Sequence, residues 1–287
     1  MVTADAAPHG VRKPSRDVQT VIEPSDASLF RKIAEHRHYH TLFFFLAIRD
    51  VTLRYRQTAL GVFWAILQPL LPMAIFTVVF ARTLRPSTGG IPYWLFVLTG
   101  MAPWSFFAGA INASAVAFAI NHGLLNKVYF PRAILPSAAV AACFLDLVVS
   151  GTLLLLLAPW WGFRPTAAWL LLPVVALIAM GLTMSVGLAL ASLMALYRDF
   201  KYVVPFLVQL WMFSTPIMYP VSLLPKRVRG IIGLNPMAGV VEAMRSCIFG
   251  SPPDGKLLAL SGLSIVAIGC AAAFIFHCLE ADLAERV

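Results

Sequence analysis

Charge is what this chain lacks. Charged side chains make up 12% of its 287 residues, about half of the roughly 25% usual in soluble domains. Hydrophobic residues reach 60% and the mean hydropathy is +0.81. A soluble fold of this length has no surface to build from such a composition, so lipid must cover much of it. Acids are scarcer still, 13 against 22 Lys and Arg, for a formal net charge of +9 and a pI near 9.7. The basic excess gathers beside apolar runs and not on a separate polar domain, which points to membrane topology and away from nucleic acid. Cysteine is rare as well: Cys143, Cys247, Cys270 and Cys278 form no CxxC pair and stand mostly in apolar runs, so neither a disulfide nor a metal site is expected. The amino terminus, MVTADAAPHGVRKPSRDVQTVIEPSD, has no apolar h-region, and the start of the chain is expected to stay in the cytoplasm. No inverted repeat of the secondary-transporter kind occurs, and no low-complexity segment.

What the chain has is long apolar runs. Six stretches suit a hydrocarbon core of about 30 Å, which takes about 20 helical residues: Val62 to Ala81, Tyr93 to Ile120, Pro136 to Ala158, Trp169 to Leu196, Val203 to Ser222, and Leu257 to Leu279. Barrel strands would be shorter and alternate in polarity, so the fold class expected is all-α and integral to the membrane. Six spans place both termini on one side, and Lys127, Arg132, Arg198 and Lys201 in the two short loops make that side the cytoplasm. Gly100 and Pro103 in the second run, and Pro205 and STPIMYP in the fifth, predict bends or breaks. The segment between the last two runs predicts two short helices broken at Asn235 and Pro236.

The chain divides into a polar extension, 1–28, an amphipathic interface helix within 29–60, and the six-span domain, 61–287. The helix, Thr41 to Gln57, carries Phe44, Ile48, Val51 and Tyr55 on one stripe, with Asp50 and Arg54 spaced to pair at i,i+4.

Several motifs weaken on inspection. GSPPDGKL, Gly250 to Leu257, imitates a phosphate loop, but Leu257 stands where Ser or Thr should hold magnesium and two prolines fill the cradle. His36 and His40 have metal-sharing spacing without a third ligand. Asp146 is the one acid well inside an expected span, either a functional carboxylate or a residue hydrogen-bonded across helices. Gly181 with Ser185, and Gly187 with Ala191, suggest close helix packing. Trp160, Trp161 and Trp169 fit an interfacial belt, whereas Trp64, Trp94, Trp104, Trp211 and Tyr219, in or beside irregular spans, are candidates to line a saccharide path.

RDVTLRYRQTALGVFWAILQPL at 49–70, NKVYFPRAILP at 126–136, YRDF at 197–200 and NPMAGVVEAMR at 235–245 together resemble the ABC-2 type permeases of polysaccharide export, in the branch of O-antigen and teichoic-acid exporters. The resemblance implies an ABC transporter: a homodimer of six-span subunits with two copies of a separate ATPase subunit at the cytoplasmic face of the inner membrane. ATP and Mg would be bound there, and this chain would hold no cofactor. It assigns ATPase contact to Arg49, Asp50, Arg54 and Arg56, to Asn126, Lys127, Tyr129, Phe130, Pro131 and Arg132, and to Arg198 and Asp199. It further places an outer gate at Asn235, Pro236, Glu242 and Arg245, and it implies export of a lipid-linked glycan. Arg49, Arg54 and Arg56 are the candidates to hold an undecaprenyl diphosphate.

Alternatives stay open at this level. They are an ABC-2 permease for a small hydrophobic drug or lipid, a membrane glycosyltransferase, for which Asp50, Asp146, Asp199 and Glu242 offer no paired site, and a proton-driven carrier resting on Asp146 alone.

Overall fold

The computed structural model describes residues 39–56, 60–83, 88–125, 127, 130–197 and 199–286. The extension 1–28, the start of the 29–60 segment, His36, Gln57, Asn126, Tyr129 and Arg198 lie outside them. The described residues form helices and turns, without strands. Helix α1 (His40–Arg56) leads into α2 (Phe63–Thr83) and α3 (Tyr93–Ala115). Two single turns follow, α4 (Ala117–Ile120) and α5 (His122–Leu125), then α6 (Ile134–Leu157) and α7 (Leu172–Leu196). The chain ends with α8 (Phe200–Ser214), the short α9 (Lys226–Gly233), α10 (Pro236–Phe249) and α11 (Gly255–Arg286).

Long helices alternate in direction, so one end of the bundle, the base, gathers α1, residues 130–133, Tyr197 and Asp199. The opposite end, the top, gathers α9, α10 and the turns Ala158–Trp161 and Ala167–Leu171. At the centre stands α3, packed by α2, α6, α7 and α10. Its Phe106, Phe107 and Ile111 are fully enclosed, whereas α2 and α11 present most of their apolar surface outward, as helices solvated by lipid do.

Among the described residues, five helices are long and apolar enough to span a membrane. The fifth run departs from expectation: in place of one helix from Val203 to Ser222, α8 stops at Ser214 after 15 residues, about 22 Å at 1.5 Å per residue and short of a hydrocarbon core near 30 Å. Pro216 and Pro220 explain the stop, since neither can donate to a helical ladder. The second run is likewise divided, α3 ending at Ala115 before two single turns.

Helix α1 also sits differently from its expected stripe. Leu46 and Ala47 are buried against Phe130, Ile134, Leu135 and Ala138, while Phe44 and Ile48 point outward. Tyr55 leaves the stripe and turns inward to a polar partner on α6. The phosphate-loop imitation opens α11: Asp254 accepts from the amides of Lys256 and Leu257 at 3.1 and 3.3 Å, an N-cap bond pattern.

The small-residue repeats of α7 separate by face. Gly187 and Ala191 are buried, and a Cβ on Gly187 would fall 2.6 Å from Ser114 Oγ of α3, whereas Gly181 is exposed with open space beside it. Gly187→Leu should therefore destabilise the bundle by about 1–3 kcal/mol, the usual cost of overpacking, and lower the thermal unfolding midpoint of the purified chain. Gly181→Leu should leave that midpoint nearly unchanged; equal effects would show that the α3–α7 contact is not tight.

Candidate functional site

At the top, the segment after α8 is irregular backbone inside an apolar protein, where each exposed carbonyl needs a donor. Five consecutive carbonyls find one. Asn235 Nδ2 donates to Ser214 O at 3.1 Å, the Ile217 amide donates to Thr215 O at 2.7 Å, and Arg245 donates to Pro216 O at 2.7 Å and Ile217 O at 2.8 Å. Tyr93 donates its hydroxyl to Met218 O at 2.8 Å.

Arg245 comes from α10, whose start is set by Asn235, with its side chain accepting from the Met237 amide, and by Pro236 at the first helical position. Gly250, in the left-handed conformation with φ of 68°, ends the helix. Arg245 is 3% exposed, and its guanidinium lies 3.6 Å from the centre of the Phe96 ring and reaches Phe96 O at 3.3 Å. Burial pulls its pKa down to about 9, opposed by Glu242 one turn earlier, so it stays cationic at neutral pH. Gly100 makes the approach possible, because a Cβ there would come within 3.1 Å of both Arg245 Nη2 and Ile217.

Asn235 is the second knot. It accepts from Trp211 Nε1 at 2.8 Å and donates to Thr215 Oγ1 at 2.9 Å, and its backbone carbonyl accepts from Ser261 of α11 at 3.1 Å. Helices α8, α10 and α11 thus meet on one side chain and its own backbone. Of the expected gate residues, Asn235, Pro236 and Arg245 are brought together here, with the half-buried Glu242 on the same helix.

At the base, the expected Asp50–Arg54 pair does not form. Arg49 takes Asp50 instead, at 2.7 Å, and reaches Asn121 Oδ1 at 2.9 Å. Arg54 crosses to α6, where its Nη2 lies 2.9 Å from Asp146 Oδ2 and its Nη1 2.7 Å from Cys143 Sγ. The Tyr55 hydroxyl donates to Asp146 Oδ1. A half-exposed carboxylate such as Asp50 can use water, but one buried at 4% exposure cannot, which decides where Arg54 goes. Burial and the bond to Asp146 push the Tyr55 phenol above its ordinary range, keeping it a donor.

The remaining expected residues scatter. Phe130 is buried against Leu46 and Ile134, so it anchors its loop inward and is not free to enter a partner. Pro131 and Arg132 are half-buried, while Arg56, Lys127 and Asp199 are exposed. Trp104 is enclosed in the core beside Phe107, Trp94 meets Trp161 edge-on, and Trp211 meets Phe107 edge-on. Trp64 stands exposed near the base and Tyr219 half-buried at the top, so the five aromatics form no single lining within one chain. The partners of Asp146 and the donor role of Tyr93 escaped the sequence reading.

Known proteins are similar to this chain in sequence. The sequence profile of the family described as ABC-2 type transporter matches residues 41–249. This chain belongs to that family. The ABC-2 chain is 32% identical over 263 residues to the O-antigen export system permease protein RfbA of Myxococcus xanthus, covering 90% of the chain and 100% of the relative. A protein of the same name from Klebsiella pneumoniae is 27% identical over 83% of the chain and 91% of its own length. The polysialic acid transport protein KpsM of Escherichia coli is 26% identical over 71% and 79%. Membership makes the ABC-2 chain a transporter's membrane subunit and not an enzyme.

Replacing Arg245 by Met should orphan the Pro216 and Ile217 carbonyls, at about 1–3 kcal/mol for each buried group. The expected outcome is a large fall in thermal midpoint and new proteolysis between 214 and 220. Arg245→Lys should fall between the two, and a Met variant as stable as the parent would refute the pinning role.

Proposed function

We propose that this chain is the membrane subunit of an ATP-driven exporter that carries a lipid-linked, O-antigen-like polysaccharide from the cytoplasmic to the outer face of a bacterial inner membrane. The observation that carries the reading is similarity over 90% of the chain and the whole of an O-antigen export permease. In this reading two copies of the chain form the path, and two copies of a separate ATPase dock at the base, where they would bind ATP and Mg. The short α8 serves as the fifth of six spans, its break completed by α9 and α10 as an outer gate, and both termini are cytoplasmic.

The geometry supports this division of labour. Irregular backbone is tolerated at membrane depth where it is buried in protein or lines a cavity, and the held carbonyls from Ser214 to Met218 support reading the top as a gate. The base presents Arg56, Lys127 and Asp199 to a soluble partner. Of the cations expected to meet an undecaprenyl diphosphate, Arg49 and Arg54 already face Asp50 and Asp146, and the exposed Arg56 is the better placed for phosphate. The exposed aromatic and apolar face of α8, with Tyr202, Phe206 and Phe213, is left for the second copy or the path between copies.

Deleting the gene for this chain should trap full-length lipid-linked glycan on the cytoplasmic side, detected by its inaccessibility to a periplasmic glycosidase in intact cells. Restoring the chain should restore access. Glycan that is shortened or absent, with no trapped pool, would contradict export and favour a role in synthesis.

A further inference from the structure

Asp146 lies midway along α6 and is 4% exposed. Such a carboxylate is costly inside a membrane protein unless its charge is answered from within. In a simple bundle-fixing role its partner would come from a neighbouring span. Here the partners come from the peripheral helix α1: Arg54 Nη2 at 2.9 Å from Oδ2, and Tyr55 through its hydroxyl to Oδ1. A second strut joins the same helix to the end of α4, where Arg49 Nη2 donates to Asn121 Oδ1 at 2.9 Å.

What lies beside these struts matters equally. A cavity of about 500 Å³ opens between α1, the α3–α4 junction and α6, walled by Leu53, Ala113, Val116, Ala117 and Ala139. The apolar seat of α1 is therefore confined to the first part of the helix, at Leu46 and Ala47, while its last two turns hang over a gap on polar contacts. A gap bears no load. Force applied near Arg56 can either swing the end of α1 into the cavity or travel through the struts into α6, and the struts oppose the swing.

We propose that Asp146 is a positioning residue for transport, fastening α1 to α6 so that a push received at the base moves the third expected span and is not lost in the cavity. The inference rests on the reading that a separate ATPase drives this chain from the base. It adds α6 to the elements that move with the ATPase, and it gives the buried acid a role other than proton transfer.

The test uses the full chain assembled with its ATPase in proteoliposomes, comparing Asp146→Asn, Asp146→Leu and Asp146→Glu. Four quantities are read: membrane yield, copurified ATPase, ATP hydrolysis and glycan moved per ATP. For the Asn and Leu variants, yield, assembly and hydrolysis should be little changed while glycan moved per ATP falls about tenfold or more, within the ordinary range of coupling between sites. The Glu variant, which keeps the charge, should recover most of the transport. The proposal is overturned if the Asn and Leu variants move as much glycan per ATP as the parent. It is equally overturned if all three fail to accumulate in the membrane, since the residue would then serve folding alone. A parent complex that hydrolyses ATP yet moves no glycan is a separate result: it strikes the export reading first, and the inference falls with it.

Discussion

An apolar bundle has no water to spend on its own polar groups, and this constraint organises both ends of the molecule. Two demands are severe. One is the broken backbone from Ser214 to Met218, whose carbonyls lost their helical donors when the prolines ended α8. The other is the Asp146 carboxylate in the middle of α6. The carbonyls are met by Arg245 and Asn235 at the top, and the carboxylate by the Tyr55 hydroxyl and the Arg54 charge from α1 at the base.

The result is a central pillar, α3 with α6 and α7, to which the broken backbone at the top and the peripheral helix at the base are fastened at a few polar points. Buried arginines such as Arg245 add little net stability relative to well-packed apolar residues, but losing one partner of a fully buried charge is severe because the other is left uncompensated, whereas Arg54, 27% exposed, can turn to water when Asp146 is replaced. Geometry is therefore enforced more strongly than it is stabilised. That property suits a transporter subunit, which must keep certain elements in register while others move. The half-exposed Arg49–Asp50 pair contributes less by this argument, since water screens it.

The long helices, the helix before the first span and the family were legible in the sequence, because hydropathy runs and proline positions act locally. So were the irregularity of STPIMYP and the helix start at Asn235 and Pro236. What escaped was long-range pairing. Local spacing pointed Arg54 at Asp50, but the cost of burying Asp146 redirected it across the chain. Phe130 and Trp104 carried aromatic signals equally suited to a partner or a path, and core packing claimed both. Residues 126, 129 and 198, expected to meet the ATPase, lie outside the described residues.

The central claim is that polar contacts at the base act as fixed joints when the transporter works. Its most direct measurement is the separation of Arg54 Nη2 and Asp146 Oδ2 in structures of the assembled transporter, one without nucleotide and one with ATP held unhydrolysed. The account predicts that the pair stays within ion-pair distance, about 4 Å or less, in both states, with α1 and α6 displaced together. A pair that opens when ATP binds, with α1 swinging into the cavity beside it, would contradict the account.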